Sequence, residues 1–229
     1  MKETRMPFSA EMIRALLEDK KHETRKVINP QPVSKVHNTS FSDNKPPFLS
    51  LSWQKGETHF GGDPERVKQA IIEHCPYGQP GDIILATETW RLHEITKGAP
   101  AFNVKVEYRA TGSISDWIRV EYTMVMHQAI RYWQAHPTHW RPARYMPKEF
   151  SRIKREIVEV RAERLQDITL EGILAEGWNP GPEPYLNGID GTDALDWFIA
   201  LWDSINAKRG YPYSSNPWDW VLTFKKVEA

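Results

Sequence analysis

The chain is expected to fold as α+β: a closed or half-closed mixed β-barrel with peripheral helices and long loop insertions. Three observations carry that expectation. Segments that read as strands outnumber those that read as helices. The two kinds do not alternate regularly, which argues against a doubly wound parallel sheet. A hydrophobic content of 40% over 229 residues is enough for one large core. Residues 1–229 are therefore read as a single domain, with residues 29–62 as a loop insertion and 91–138 as a β-hairpin insertion.

The first helix is predicted from Met12, Ile13, Leu16 and Leu17, which recur at helical spacing behind a capping Ser9. Beyond Asp19 the pattern becomes polar and then β-favouring at Val27-Ile28, so Lys21 and Thr24 fall at the changeover. Asn29-Pro30-Gln31-Pro32 breaks regular structure, and the polar excursion that follows holds at most a short strand at Phe48–Trp53. Asp63-Pro64-Glu65 starts a second helix that ends before Cys75-Pro76. Ile83–Thr87 reads as a buried strand after a tight turn containing Gly78 and Gly81. Alternation at Val104, Val106 and Tyr108, and again at Ile118, Val120, Tyr122 and Met124, predicts two strands joined near Ala110–Ser113. Ile157–Arg164 is another strand and Thr169–Glu176 a short helix. Thr192-Asp193 caps a helix with Leu195, Phe198, Ile199, Trp202 and Ile205 on one side, stopped by Gly210. Trp218–Phe224 is the closing strand.

Charge and cysteine content narrow the function. Thirty basic residues balance thirty acidic ones, so electrostatic binding must come from local patches. One cysteine, Cys75, excludes an internal disulfide framework and a cysteine-rich zinc module. With no apolar run of membrane-spanning length and no signal-peptide core, the protein is expected to be cytoplasmic, with no membrane partner.

Two clusters carry chemistry. The Lys20-Lys21 and Thr24-Arg25-Lys26 group combines amines with a hydroxyl. Side chains at a changeover from helix to strand are held by the scaffold yet still reach solvent, which is what a small active site or a nucleic-acid contact needs. The same residues at a helix end also suit the helix dipole without any chemistry. The second cluster is basic and aromatic: Trp140, Arg141, Arg144, Tyr145 and Lys148, continuing through Arg152, Lys154 and Arg155. Guanidinium groups neutralise phosphates and aromatic rings stack on bases. The bland alternative is a solvated loop whose arginines pair with the acidic helix near the C-terminus. His136-x-x-His139 has metal-like spacing, but Pro137 disfavours a helix and no metal is assigned.

Five blocks in order give the chain a family resemblance. They are Phe8–Ile28; Cys75–Asp82 with Glu88-Thr89-Trp90; Arg141-Pro142 with Met146-Pro147 and Ser151-Arg152-Ile153; Glu163–Ile168; and Trp202 to the final strand. The pattern resembles the ASCH domain, a relative of the PUA RNA-binding barrel, and within it the larger ASCH-like proteins encoded by tailed phages and prophages. The resemblance implies a mixed barrel with a cleft for RNA or a modified nucleoside, and no cofactor. It implies two candidate activities: hydrolysis of N4-acetylcytidine, or RNA cleavage. It also leaves a non-catalytic alternative, a phage module that binds RNA or a host protein. In the amidohydrolase type a Lys, a Thr three residues later and a distant Glu act together. Carried over, these are Lys21, Thr24 and Glu176. The Gly-Arg that usually precedes the Lys is Asp19-Lys20 here, and the Thr that usually follows it is His22. The nucleic-acid contacts expected from the two clusters, together with Trp90, are Lys20, Arg25, Lys26, Trp140, Arg141, Arg144, Tyr145, Lys148 and Arg152.

Overall fold

The computed structural model describes residues 1–37, 48–53, 58–62, 64–97, 101–121, 123–179 and 191–227. In chain order the elements are β1 (Glu3–Pro7), α1 (Ala10–Leu17), β2 (Glu23–Val27), β3 (Val33–His37), β4 (Phe48–Trp53), β5 (Thr58–Gly62) and α2 (Pro64–Glu73). There follow β6 (Ile83–Thr87), β7 (Trp90–Lys97), β8 (Ala101–Tyr108), β9 (Ile118–Glu121), α3 (Met124–Ala135) and β10 (Ile153–Arg164). The chain closes with α4 (Leu170–Ala175), α5 (Gly191–Asn206) and β11 (Trp218–Lys226). The fold is α+β, and it divides into two compact units. One comprises residues 1–19, 82–156 and 226–229, the other residues 20–81 and 157–225.

In the first unit β1 runs parallel to β6, and β6 pairs antiparallel with the opening residues of β10. Ser9 caps α1 by accepting from the Met12 amide at 3.2 Å, as expected. Met12, Ile13 and Leu16 are buried, but Leu17 stays 45% exposed, because it turns about 100° away from Leu16 on the helix. The stretch 91–138 holds more than a hairpin. β7, β8 and β9 form an antiparallel meander with a bulge between Leu92 and Glu94, and α3 follows. The turn near Gly112 lies where expected, with the Gly112 and Thr111 amides donating back to the Tyr108 carbonyl. β9 then pairs with Ala101–Val104, at the far end of β8. The segment from Met124, read as the end of a strand, is instead the start of α3, capped by Thr123. Only Ile130 and Trp133 of α3 are buried, too few for the helical period to stand out in the sequence. The core of this unit gathers around Trp90, which meets Trp133 and Phe150 edge-on at 4.9 and 5.0 Å.

In the second unit β11 lies between β10 and β2 and pairs antiparallel with β2, Thr24 opposite Leu222. The loop expected over 29–62 contains the meander β3-β4-β5, with the anticipated strand Phe48–Trp53 at its centre. β11 is buried on both sides: Asp219, Val221 and Leu222 are fully buried and Trp220 nearly so. The indole N–H of Trp220 donates to the Ile71 carbonyl of α2. α4 begins at its cap Thr169 and packs Ile173 with Leu165, Ala194, Phe198 and Trp202. Ile205, expected on the buried side of α5, is 46% exposed.

Candidate active site

Lys21 leads into β2 and Glu176 is the residue at which α4 ends, 155 positions later. A helix end leaves carbonyls without intrahelical partners. Here the His22 amide donates to the Ala175 carbonyl at 2.8 Å, and the Lys21 amine donates to the Glu176 carbonyl at 2.7 Å. The amine thereby reaches the Glu176 side chain as well, 2.5 Å from Oε2. The other carboxylate oxygen, Oε1, accepts the Arg25 backbone N–H at 2.6 Å. The entry to β2 is thus tied to the exit of α4 by four hydrogen bonds, and the Lys21–Glu176 pair is part of that tie.

All three residues of the expected triad are closed off from solvent: Lys21 is 0% exposed, Thr24 2% and Glu176 3%. Lys21 and Glu176 touch directly. Thr24, three residues further on, lies in β2, on the face it shares with Lys26. Burial pushes the Lys21 amine below its usual pKa, Glu176 opposes that, and the Arg25 guanidinium adds to it. The half-buried Lys26 amine is pushed down to about 8, chiefly by burial, with Glu176 opposing and Lys21 and Arg209 adding.

Around this pair lies a polar cluster that the sequence reading did not assemble. The Arg25 guanidinium stands 2.6 Å from Glu23, 3.5 Å from Glu163, 3.6 Å from Asp219 and 3.8 Å from Glu176. Arg161 bridges Glu23 and Glu163 at 2.8 and 2.7 Å. Asp219 is fully buried, and neither of its carboxylate oxygens has a hydrogen-bond partner among the described residues. Burial holds its pKa well above the usual carboxylate range, with Arg25 opposing and the carboxylates of Glu163, Glu176 and Glu23 adding. One signal for this cluster was readable: a lone acid inside the otherwise apolar Trp218-Asp219-Trp220-Val221-Leu222 needs a buried partner.

The expected nucleic-acid contacts divide sharply. Arg25 is not presented to a phosphate, since it is 7% exposed and surrounded by carboxylates. Trp90 cannot stack on a base; it is the fully buried centre of a core. Arg141 is 8% exposed, and its guanidinium donates to the carbonyls of Trp133, His136 and His139, which closes the end of α3. Arg152 is forked onto both oxygens of the buried Glu88 at 2.9 and 3.2 Å and lies 4.1 Å over the Tyr108 ring. Half-buried Trp140 already carries Arg91 on its ring at 4.6 Å. Arg144, Tyr145, Lys148 and Lys20 are exposed. Arg144 covers the Tyr145 ring at 4.9 Å, and Lys148 lies 3.9 Å from Glu3.

The rings of His136 and His139 stack at 5.3 Å, and among the described residues no three His, Cys, Asp or Glu side chains are placed to hold a metal ion. Nor is any helix there long and apolar enough to cross a membrane. In comparisons with protein-family models, curated proteins and solved structures, nothing matches the chain.

Proposed function

We propose that this is a cytoplasmic ASCH-like protein, a PUA-type mixed barrel, that binds a modified nucleoside and hydrolyses an exocyclic amide on it, as in N4-acetylcytidine. The observation that carries the reading is the buried 2.5 Å contact between Lys21 Nζ and Glu176 Oε2, with Thr24 on the adjoining strand. Such a contact joins an amine whose pKa burial lowers to a carboxylate that passes or holds its proton.

The chemistry follows from those groups. In its neutral form the Lys21 amine takes the Thr24 hydroxyl proton as the oxygen attacks the acetyl carbonyl. A C–O bond forms, and the tetrahedral centre collapses with cleavage of the C–N bond. The proton passes from Lys21, with Glu176 holding the ammonium, to the leaving N4 amine. Water then cleaves the acetyl-threonine ester. The products are cytidine and acetate, and Thr24 regains its proton.

The complete burial of Lys21 favours a second reading, in which its ammonium simply closes the end of α4 and the protein binds RNA without turning it over. One experiment separates them. Wild type, Lys21→Ala and Thr24→Ala are incubated with N4-acetylcytidine and, separately, with labelled single-stranded RNA. Acetate release lost in both variants, with folded protein by circular dichroism, supports hydrolysis. Gel shift without turnover supports binding alone, and strand scission points to a ribonuclease. Turnover undiminished in both variants removes the site.

A further inference from the structure

Arg25 is the least exposed guanidinium near the Lys21–Glu176 pair, and no step of the chemistry above uses it. It meets Glu176 twice, through its backbone N–H at 2.6 Å and through its guanidinium at 3.8 Å, both at Oε1. Both contacts are on the oxygen that faces away from the amine, which leaves Oε2 for Lys21. The guanidinium is itself braced from three strands: by Glu23 of β2, Glu163 of β10 and Asp219 of β11. Its remaining side lies against α4. A Cβ built on Gly172 would stand 3.1 Å from Nη2 and 3.6 Å from Nη1, so the helix that delivers Glu176 lacks a side chain where the guanidinium passes.

We propose that Arg25 is a positioning residue: braced by three strands and seated in the notch at Gly172, it fixes the rotation of the Glu176 carboxylate so that Oε2 is aimed at the Lys21 amine. The charged groups facing the pair are Glu23, Arg25 and Lys26 from β2, Glu163 from β10 and Asp219 from β11. A simple point charge at residue 25 would serve the electrostatics. Only a planar guanidinium, with its three nitrogens, stands within ion-pair distance of Glu23, Glu163, Asp219 and Glu176 at once and still lies flat along the side-chain-free flank at Gly172. The activity arm of the test rests on the hydrolase reading; the spectroscopic arm does not.

Arg25→Lys keeps the charge and loses the fork. On N4-acetylcytidine its kcat is expected to fall about 10- to 100-fold with KM within about twofold, the signature of a misplaced group rather than weaker binding. In parallel, exchange of the 15N-labelled Lys21 ammonium protons, assigned by their loss in Lys21→Ala, is followed below neutral pH. It is expected to quicken at least about tenfold in Arg25→Lys, because the carboxylate no longer holds the amine. If Arg25→Lys fails to fold, Gly172→Ala sets a Cβ 3.1 Å from Nη2 and 3.2 Å from the Ile168 side chain, which crowds the guanidinium by a few tenths of an ångström without changing charge, with the same two readouts and the same signs. Wild-type kcat together with wild-type exchange overturns the proposal. If the wild type releases no acetate, the hydrolase reading falls and the exchange measurement alone decides the role of Arg25.

Discussion

Two regions of this protein hold most of its conspicuous cations, and they treat them in opposite ways. In the second unit, cations in and just before β2 meet acids from the end of α4, from β10 and from β11, and Lys21, Arg25, Glu176 and Asp219 are closed to solvent. In the first unit, the run from Trp140 to Arg155 is contiguous in sequence, yet its members go to separate tasks. Arg141 closes the end of α3, Arg152 neutralises Glu88, and Arg155 donates to the Leu16 carbonyl of α1. Closeness along the chain therefore did not gather these cations into one cluster, and distance along the chain did not keep the others from forming one. A buried guanidinium must find acceptors wherever the fold supplies them, because leaving it unpaired costs more than most single contacts gain.

The largest test of that contrast is Glu176→Ala. Removing one member of a buried pair leaves the Lys21 amine uncompensated, and a loss of about 3–5 kcal/mol in urea unfolding is expected. A loss below about 1 kcal/mol would show that the cluster is solvated and the contrast unfounded. Next comes Arg141→Ala, which removes the guanidinium hydrogen bonds to the carbonyls of Trp133, His136 and His139 at the end of α3. It is expected to cost about 1.5–3 kcal/mol, the range for hydrogen bonds to charged groups, while RNA affinity in a gel shift stays at the wild-type level. The reverse result, intact stability with lost affinity, would return Arg141 to a nucleic-acid surface.

A third test uses pH and sharpens the same contrast. The folded-state pKa of Asp219 lies above its ordinary value, so its stabilising contribution is complete at acid pH and is lost as pH rises through the folded value. Asp219→Asn should accordingly gain on the wild type as pH rises through that window. Lys26 has the opposite sign. With a folded value of about 8 against an ordinary 10.5, the folded state holds fewer protons between those limits, and stability rises with pH across them. Lys26→Met should flatten that rise in unfolding curves taken at pH 8 and pH 10. The smallest effect is expected from the combined Arg144→Ala, Tyr145→Ala and Lys148→Ala variant in the exposed part of the first unit. Its stability should change by no more than about 0.5 kcal/mol per site. A weakened RNA shift there would mark these three as the surface that binds.

The parts of the fold that were legible in the sequence are those with local causes. Ser9 ahead of an apolar period announced α1, Pro64 announced α2, and the apolar run after Gly81 announced β6. α3 was not legible, because two buried residues in twelve leave no stripe to read. The meander β3-β4-β5 was hidden among polar residues, since its pairing is between strands rather than within one. Within the site, Lys21, Thr24 and Glu176 were reached through family resemblance, whereas Glu23, Glu163, Gly172 and the bracing role of Arg25 were not reached at all.

By itself the sequence determined the neutral charge balance, the starts of α1, α2 and α4, the strands with apolar or alternating runs and the stock of reactive side chains. Propensity, capping and periodicity act over a few residues, so they can be read along the chain. The tertiary structure alone decided which amine met which carboxylate and which cations were withdrawn from solvent. Those outcomes depend on desolvation and on the direction of each side chain across paired strands, and both arise only when distant segments pack.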